Sequence, residues 1–226
     1  CLPMHTMGLP AHMPQILSIC SDWGIPVIED AAEALGSSRD GQSCGTFGLL
    51  GTLSFNGNKI ITTGGGGAIV TDDNQLAEKI RHLATTAKIQ HKWMFEHDQV
   101  GYNYRMPGLN AAMGVAQIEQ LPGFLASKNE LAEVYRLWGS TEGVELVSDP
   151  VDCRPNNWLN TVLLENEQER DRFLKYTNDQ GVMTRPAWAL MNDLTPFKNC
   201  QTFSDANARN FQQRLVNVPS SVRVSS

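Results

Sequence analysis

The sequence predicts an α/β protein whose first part is built on a largely parallel sheet and whose last part is a smaller α+β unit. Short apolar runs of strand type alternate with amphipathic helical patterns in the first part, which is typical of a layered α/β domain. A long amphipathic helix follows the pair Pro122-Gly123, where a helix is expected to break. We therefore place a boundary near Pro122, which gives domains of residues 1–122 and 123–226.

Up to residue 84, the first domain is predicted to contain two helices and three strands. A helix over residues 13–23 is favoured by Pro14 in its first turn and by Gly24 just after its end. The run 27–30 is continuously apolar until it ends in acid, as in a strand buried on both faces. The segment Asp72-Asp73-Asn74 offers an N-cap for a second helix that extends to about residue 84. The predicted strands are residues 27–30, 52–55 and 68–70.

The second domain is predicted from one helical stripe and a few short elements. The preceding helix covers residues 109–121, and after Pro122 a stripe at spacings of three and four residues predicts a new one. We expect Lys128 at the edge of this stripe, with its stem packed and its ammonium in water. The stripe consists of Phe124, Lys128, Leu131, Tyr135 and Trp138. The remaining predicted elements are a strand at 158–164, a helix at 168–180, a strand at 182–185 and an apolar stretch at 215–218.

The composition excludes several classes of function. The formal net charge is −6 and no basic run is present, which argues against a nucleic-acid surface. No apolar run approaches the roughly 18 residues of a membrane span. The five histidines and five cysteines are scattered without ligand-like spacing, so we expect no metal site. Cysteines without a C-x-x-C pair are typical of a reducing cytoplasm.

The residues with the most chemical potential lie between Asp30 and Gly67. Asp30 ends a buried strand, and ligand sites of parallel sheets lie beyond the carboxyl ends of strands. Ser54 and Lys59 lie on one strand-to-turn unit, and the glycine run 64–67 lets the backbone take positive φ. Each also has a plain structural interpretation: Asp30 caps the next turn, Lys59 is an exposed turn residue, and the glycines form a flexible turn.

The segment fails the two common phosphate-binding fingerprints. A nucleotide-hydrolase loop needs G-x-x-x-x-G-K-[ST], but Asn58 separates Gly57 from Lys59 and Ile60 follows the lysine. A dinucleotide fingerprint needs glycines that open a helix, whose N-terminus then points at the phosphates. The glycine run 64–67 precedes a strand, so it does not match this fingerprint. A strand-end carboxylate, a lysine and a hydroxyl are what pyridoxal 5′-phosphate (PLP) chemistry requires, to protonate the ring nitrogen, bind the cofactor covalently and hold its phosphate.

Five stretches of the chain together resemble the DegT/StrS-type sugar aminotransferases, which are PLP enzymes of the aspartate-aminotransferase (type I) fold. The stretches occur in the family's order and spacing. They are VIEDAAEALG at 27–36, SFNGNK at 54–59, TTGGGGA at 62–68, GYNYRM at 101–106 and TRP at 184–186. The resemblance implies a partial large domain with a mostly parallel sheet, followed by a small C-terminal α+β domain.

The resemblance also implies roles for individual residues. Lys59 would bind PLP covalently and Asp30 would pair with its pyridine nitrogen, which makes these two the catalytic pair. Glu33 stands near the cofactor ring, where many members have Gln, and Ser54 would donate to the phosphate. Asn103 would reach the cofactor phosphate of the neighbouring subunit, so the resemblance implies a homodimer with shared active sites.

The resemblance further implies which residues contact the substrate and what kind of substrate it is. Arg185 is a candidate for substrate contact or for a salt bridge at the domain junction, and His91 is a candidate to line the sugar pocket or an exposed loop residue. The stretch 84–88 with His91, Trp93 and His97 is most similar to the branch that aminates C4 of UDP-linked 4-keto-6-deoxy-HexNAc sugars in legionaminic-acid-type pathways. The implied reaction is transfer of an amino group from L-glutamate to a nucleotide-linked keto sugar, in surface polysaccharide or lipopolysaccharide synthesis.

The sequence departs from the family pattern at two points. The family's upstream segment, with a phosphate turn and an aromatic residue that stacks on the ring, is not identifiable, so we expect it to precede Cys1 and the fragment alone to be inactive. A carboxylate at Glu33 would repel the electron-rich oxygen of the ring unless it is protonated or bridged by water.

Two rival functions remain. A sugar dehydratase of the same fold would carry His in place of the lysine, which Lys59 argues against. A non-catalytic fragment would keep the fold and bind no cofactor, and would be colourless.

Overall fold

A computed structural model describes residues 1–223 of the chain in two compact units. The first unit contains residues 1–125 together with the segment 150–158. The second contains residues 126–149 and continues from Leu159. The division after Leu125 lies close to the predicted boundary at Pro122, and the roles assigned to the two domains stay predictions.

The described residues form five α-helices and twelve short strands. The helices are α1 (Met13–Asp22), α2 (Asn74–Ala84), α3 (Gly108–Glu142), α4 (Glu167–Asp179) and α5 (Ala206–Arg214). The strands are β1 (Ile28–Asp30), β2 (Ser38–Arg39), β3 (Gln42–Ser43), β4 (Leu50–Ser54), β5 (Gly67–Val70), β6 (Lys88–Ile89), β7 (Glu96–His97), β8 (Glu145–Leu146), β9 (Cys153–Arg154), β10 (Asn160–Leu163), β11 (Arg185–Pro186) and β12 (Leu215–Val218).

The first unit is organised around a three-stranded sheet of order β1-β4-β5. β1 and β4 are parallel, with Asp30 opposite Thr52, and Met4 forms a further parallel bridge to Asp30. β5 pairs with β4 in the antiparallel direction, because the connection between them contains turns but no crossover helix. The parallel pairings bring the ends of β1 and β4 to the same edge of the sheet.

The helices of the first unit follow the predicted pattern, with one correction. The Asp73 carboxylate accepts hydrogen bonds from the backbone N–H groups of Gln75 and Leu76, which confirms the predicted cap of α2. The predicted break at Pro122-Gly123 is wrong, because both residues lie inside α3, which is 35 residues long. One proline removes one intrahelical hydrogen bond, and the turns on either side keep theirs.

The second unit contains an antiparallel sheet of order β11-β12-β10-β8. Val162 of β10 and Val216 of β12 are completely buried at its centre. The predicted strand at 182–185 is displaced, because β11 shares only Arg185 with it. α5 lies in a stretch for which no helix was predicted. The expectation for Lys128 is wrong: its side chain is buried, and its ammonium donates to the carbonyl of Ser220 at 2.5 Å.

No helix within residues 1–223 is both long enough and apolar enough to cross a membrane. In the same part of the chain, no group of three or more His, Cys, Asp or Glu side chains is arranged to hold a metal ion.

Candidate active site

Two predicted site residues lie at neighbouring strand ends of the first unit. Asp30 is the last residue of β1, is partly buried, and accepts a hydrogen bond from the N–H of Ala32 at 3.1 Å. Ser54 is the last residue of β4, and its hydroxyl oxygen accepts from the N–H of Asn56 at 3.3 Å. The parallel pairing of the two strands places both side chains at one edge of the sheet, where the polar groups can face one ligand.

Lys59 follows β4 on a tight turn. Its backbone N–H donates to the carbonyl of Asn56 at 3.1 Å, which closes the four-residue turn Asn56-Gly57-Asn58-Lys59. The side chain is mostly buried, with 14% of its surface exposed. The turn therefore fixes the lysine backbone near the end of β4 and leaves the amine on a chain of four rotatable bonds.

A buried carboxylate faces the Lys59 amine. The Oε1 atom of Glu33 lies 3.6 Å from Nζ of Lys59, and Oε2 accepts from the N–H of Met7 at 2.7 Å. Burial raises the pKa of Glu33, Asp30 raises it further, and the contacts with Met7 and Lys59 only partly offset the effect of burial. Asp30, Glu33 and Lys59 thus interact as one charged cluster beside the end of β1.

Trp158 contacts the lysine turn and was not predicted as a site residue. Its indole Nε1–H donates to the carbonyl of Asn58 at 2.7 Å. The face of its ring lies against Nζ of Lys59, which is 4.3 Å from the ring centroid. Asn58 and Trp158 are 100 positions apart, so no local spacing could have linked them.

Glu29 is a second buried carboxylate that sequence reasoning missed. It accepts hydrogen bonds from Nε2 of His5 at 2.9 Å and from the backbone N–H groups of Gly45, Phe47 and Gly48 at 2.6–2.8 Å. Burial raises its pKa, but these hydrogen bonds outweigh burial and the net pKa is lowered. Glu29 therefore holds the loop between β3 and β4 as a fixed anion and faces no ligand space.

The glycine run has part of the conformation that was predicted. Gly64 and Gly66 have φ angles of 79° and 119°, which side chains other than glycine rarely adopt. The carbonyl of Gly66 accepts from the N–H of Phe55, so the run packs beside the segment between Ser54 and Lys59. Gly57 does not have positive φ, so the Asn-Gly turn uses ordinary backbone angles.

The structure places three further predicted residues outside this charged cluster. Asn103 is exposed on the segment beside α2, where its backbone forms a bridge to Thr85. His91 is exposed, and its Nδ1 accepts from the N–H of Met94 at 3.0 Å. Arg185 is exposed on β11 of the second unit, opposite Asn217 of β12. The predicted roles of these residues stay predictions.

His91 lines a wide groove of the first unit, with a volume of about 1200 Å³. The groove carries cationic side chains and the indole of Trp93, and none of the Asp and Glu side chains within residues 1–223 lines it. Its polar and aromatic lining includes Arg81, Lys88, Gln90, His91, Lys92, Trp93 and Arg105. In a chain of net charge −6, such a groove favours an anionic ligand that has a planar ring.

The donor set of the cluster fits pyridoxal phosphate. Lys59 supplies an amine, Asp30 a strand-end carboxylate and Ser54 a hydroxyl, which are the groups that the covalent bond, the ring nitrogen and the phosphate require. Within residues 1–223, the Ser54 hydroxyl accepts a hydrogen bond but is not observed to donate one, so its hydrogen is available for a phosphate oxygen.

Comparison with known proteins identifies relatives along most of the chain. It is 36% identical over 188 residues to the putative pyridoxal phosphate-dependent aminotransferase EpsN of Bacillus subtilis, covering 83% of this chain and 48% of that protein. It is 37% identical over 185 residues to GDP-perosamine synthase of Escherichia coli O157:H7, covering 82% and 50%. The chain thus spans about half the length of these curated relatives.

The fold is shared with solved structures. The aminotransferase TlmJ from Streptoalloteichus hindustanus superposes with a TM-score of 0.92 at 29% identity, over 100% of this chain and 61% of that one. This confirms the predicted fold, as a partial type I fold. The model of the DegT/DnrJ/EryC1/StrS aminotransferase family matches residues 1–226, and the chain belongs to this family.

Proposed function

We propose that this chain is the cofactor-binding part of a PLP-dependent aminotransferase that acts on a nucleotide-linked keto sugar. The observation that carries the proposal is the cluster around Glu33, which lies 3.6 Å from the Lys59 amine and interacts electrostatically with the strand-end carboxylate of Asp30. Family membership supports the cofactor, because aminotransferases of this family are PLP-dependent. Since the chain spans about half of its relatives, the remainder of the site would come from sequence outside it.

Three residues of this chain would hold the cofactor. Lys59 would bind it covalently through Nζ, Asp30 would keep a proton on its ring nitrogen, and Ser54 would donate its hydroxyl hydrogen to the phosphate. When bound, PLP supplies an electron-withdrawing ring that stabilises negative charge at the reacting carbon of the substrate. The carboxylate of Asp30 suits its role because it lies at the open edge of the sheet and is held by one backbone N–H.

Lys59 would act a second time once the amino donor has displaced its amine. The free Nζ could then take a proton from the reacting carbon and return it to the cofactor carbon to which the lysine had been attached, as a general base followed by a general acid. Glu33 lies 3.6 Å from Nζ, and burial raises its pKa, a shift in the direction that favours the protonated form beside the ring oxygen.

The groove beside α2 supports the nucleotide-linked part of the substrate. Its cationic side chains suit a diphosphate, Trp93 suits the base, and His91 would contact the ligand from the same lining. Arg185 would contribute a further substrate contact. Within this class we propose a UDP-linked 4-keto-6-deoxy-HexNAc sugar as acceptor and L-glutamate as donor. The product would serve surface polysaccharide or lipopolysaccharide synthesis in the cytoplasm, where the five free cysteines would stay reduced.

A homodimer with shared sites completes the proposal. Asn103 is exposed and flanked by Tyr102 and Tyr104, whose rings stack with centroids 5.1 Å apart and are themselves exposed. Trp93 and Phe95 expose 73% and 79% of their surface nearby in the sequence. Exposed aromatic residues in this number are typical of a protein interface, across which Asn103 would reach the partner's cofactor phosphate.

The experiment uses the protein expressed from its full reading frame and loaded with PLP. We expect a yellow protein that transfers the amino group of L-glutamate to a keto sugar in a screen of UDP-, GDP- and dTDP-linked acceptors. Lys59→Ala should lose the visible absorbance of the covalently bound cofactor and lower turnover by at least about 1000-fold. A colourless wild-type protein, or a Lys59→Ala variant with normal turnover, would overturn the proposal.

A further inference from the structure

The segment 150–158 joins the two turns that carry the charged cluster. The side-chain amide of Asn156 donates to the carbonyls of Glu33 at 2.8 Å and Leu35 at 2.9 Å. The backbone N–H of Asn156 donates to the hydroxyl of Ser37 at 2.9 Å. Asn156 is 1% exposed, so these bonds are shielded from water and fix the segment against the turn of Glu33.

Two residues further on, Trp158 holds the lysine turn at two points. The Nε1–H bond to the Asn58 carbonyl fixes the backbone immediately before Lys59, and the ring face contacts the amine at the other end of the same side chain. The indole is 5% exposed, and a cation on the face of a desolvated ring is held more strongly than one at the surface. Both ends of the flexible lysine are therefore restrained by one rigid side chain.

We infer that Trp158 is a positioning residue for Lys59. The inference rests on the proposed function, because it concerns the amine that would bind the cofactor and move the proton. A lysine amine has many rotamers, and proton transfer requires it within hydrogen-bond distance of the reacting atom. The ring at 4.3 Å and the Glu33 carboxylate at 3.6 Å restrict Nζ to one region before any ligand arrives.

The first test measures the amine without cofactor or substrate. The cofactor-free protein is reductively methylated with formaldehyde and borane, and mass spectrometry gives the rate at Lys59 relative to Lys79, which is exposed on α2. Trp158→Leu removes the ring and the N–H donor and should raise this ratio about fivefold. Trp158→Phe keeps a ring face and should raise it less. Trp23→Leu, at an exposed tryptophan, should leave the ratio unchanged.

The second test separates positioning from binding in the PLP-loaded protein. We expect Trp158→Leu to lower kcat about tenfold and to leave KM for the amino donor within about twofold, with Trp158→Phe intermediate in kcat. Thermal unfolding of each variant shows whether it is folded at the assay temperature. A residue that served only to pack the core would lower the melting temperature without changing the methylation ratio or the kcat of the folded enzyme.

The outcomes distinguish this inference from the proposed function. If the wild-type protein neither binds PLP covalently nor transaminates, the proposed function fails, whatever the methylation ratios are. If the wild type is active but the Trp158 variants match it in methylation ratio and kcat, the inference on Trp158 is overturned. A graded response from tryptophan through phenylalanine to leucine in both measurements is the result that supports it.

Discussion

Two glutamates four positions apart differ in what surrounds them. Glu29 and Glu33 are both buried, at 0% and 7% exposure. Glu29 accepts four hydrogen bonds from fixed donors, and its net pKa is lowered, whereas Glu33 has one backbone donor and a lysine at 3.6 Å, and its pKa is raised. Burial acts on both in the same direction, so the number of fixed donors decides the sign.

The comparison separates a structural carboxylate from a candidate functional one. The N–H of Ala11 donates to Nδ1 of His5, which assigns the imidazole proton to Nε2 and so to the bond with Glu29. In this arrangement the hydrogen bonds of Glu29 serve to hold the fold. Glu33 lies beside the amine of Lys59, a residue on a turn outside the helices and strands. The protonation of Glu33 can therefore change with what binds there.

The largest effect is expected for Glu29→Ala. The substitution leaves several buried N–H groups without an acceptor, and we expect unfolding in urea at pH 7 to require about 3–5 kcal/mol less free energy. Glu78→Ala, at an exposed position of α2, is the matched control and should change stability by less than about 0.5 kcal/mol. A loss below 1 kcal/mol for Glu29→Ala would contradict the anchoring role.

Lys128 extends the comparison to a buried cation in the second unit. Burial lowers its pKa to about 8 from an ordinary 10.5, so between these values the unfolded chain binds the proton more tightly than the folded one. Stability of the wild type should therefore rise from pH 8 to pH 10.5. Lys128→Met has no amine to titrate, so its free energy of unfolding relative to the wild type should fall by on the order of 3 kcal/mol between pH 8 and pH 10.5. The measurement is urea unfolding in the presence of a reductant. If the difference in free energy of unfolding between Lys128→Met and the wild type did not change with pH, the ammonium of Lys128 would not be desolvated.

Glu33→Gln is expected to have the smallest effect on stability and to reverse the sign found at Glu29. A raised pKa means that the contribution of Glu33 is present below the unfolded pKa and is lost as pH rises through the folded value. The amide does not titrate, so the free energy of unfolding of Glu33→Gln relative to the wild type should rise as pH rises from 4 to 7. For Glu29→Gln the free energy of unfolding relative to the wild type should fall as pH rises towards 4.5, the ordinary carboxyl value, because the pKa of Glu29 is lowered. Parallel pH profiles for the two variants would contradict the comparison. Turnover of Glu33→Gln should stay within about tenfold of wild type.

Local patterns predicted much of the first unit. The cap of α2 follows from an aspartate in front of an amphipathic run, and it is observed at Asp73. The strand end at Asp30 follows from an apolar run that stops at an acid, whereas β4 ends at Ser54, one residue before the end of the predicted strand 52–55. Both side chains lie at one edge of the sheet. These features depend on neighbours within a few positions, which is the range over which sequence patterns carry information.

The errors and omissions concern contacts that are distant in the sequence. A break was predicted at Pro122 from local chemistry, but the helix continues there. The ammonium of Lys128 was expected in water, yet its acceptor lies 92 positions later at Ser220. The contact between Trp158 and the lysine turn has the same origin, because tertiary packing brings together segments whose spacing has no fixed period.

The central claim is that Lys59 is the residue that binds the cofactor. The PLP-loaded protein from the full reading frame is reduced with borohydride, which makes the bond to the lysine permanent, and is then digested and mapped by mass spectrometry. We expect the pyridoxyl mass on Lys59 in nearly every molecule and on no other lysine at comparable occupancy. A mass found on a different lysine, or no modified peptide from a protein that remains folded, would contradict the account.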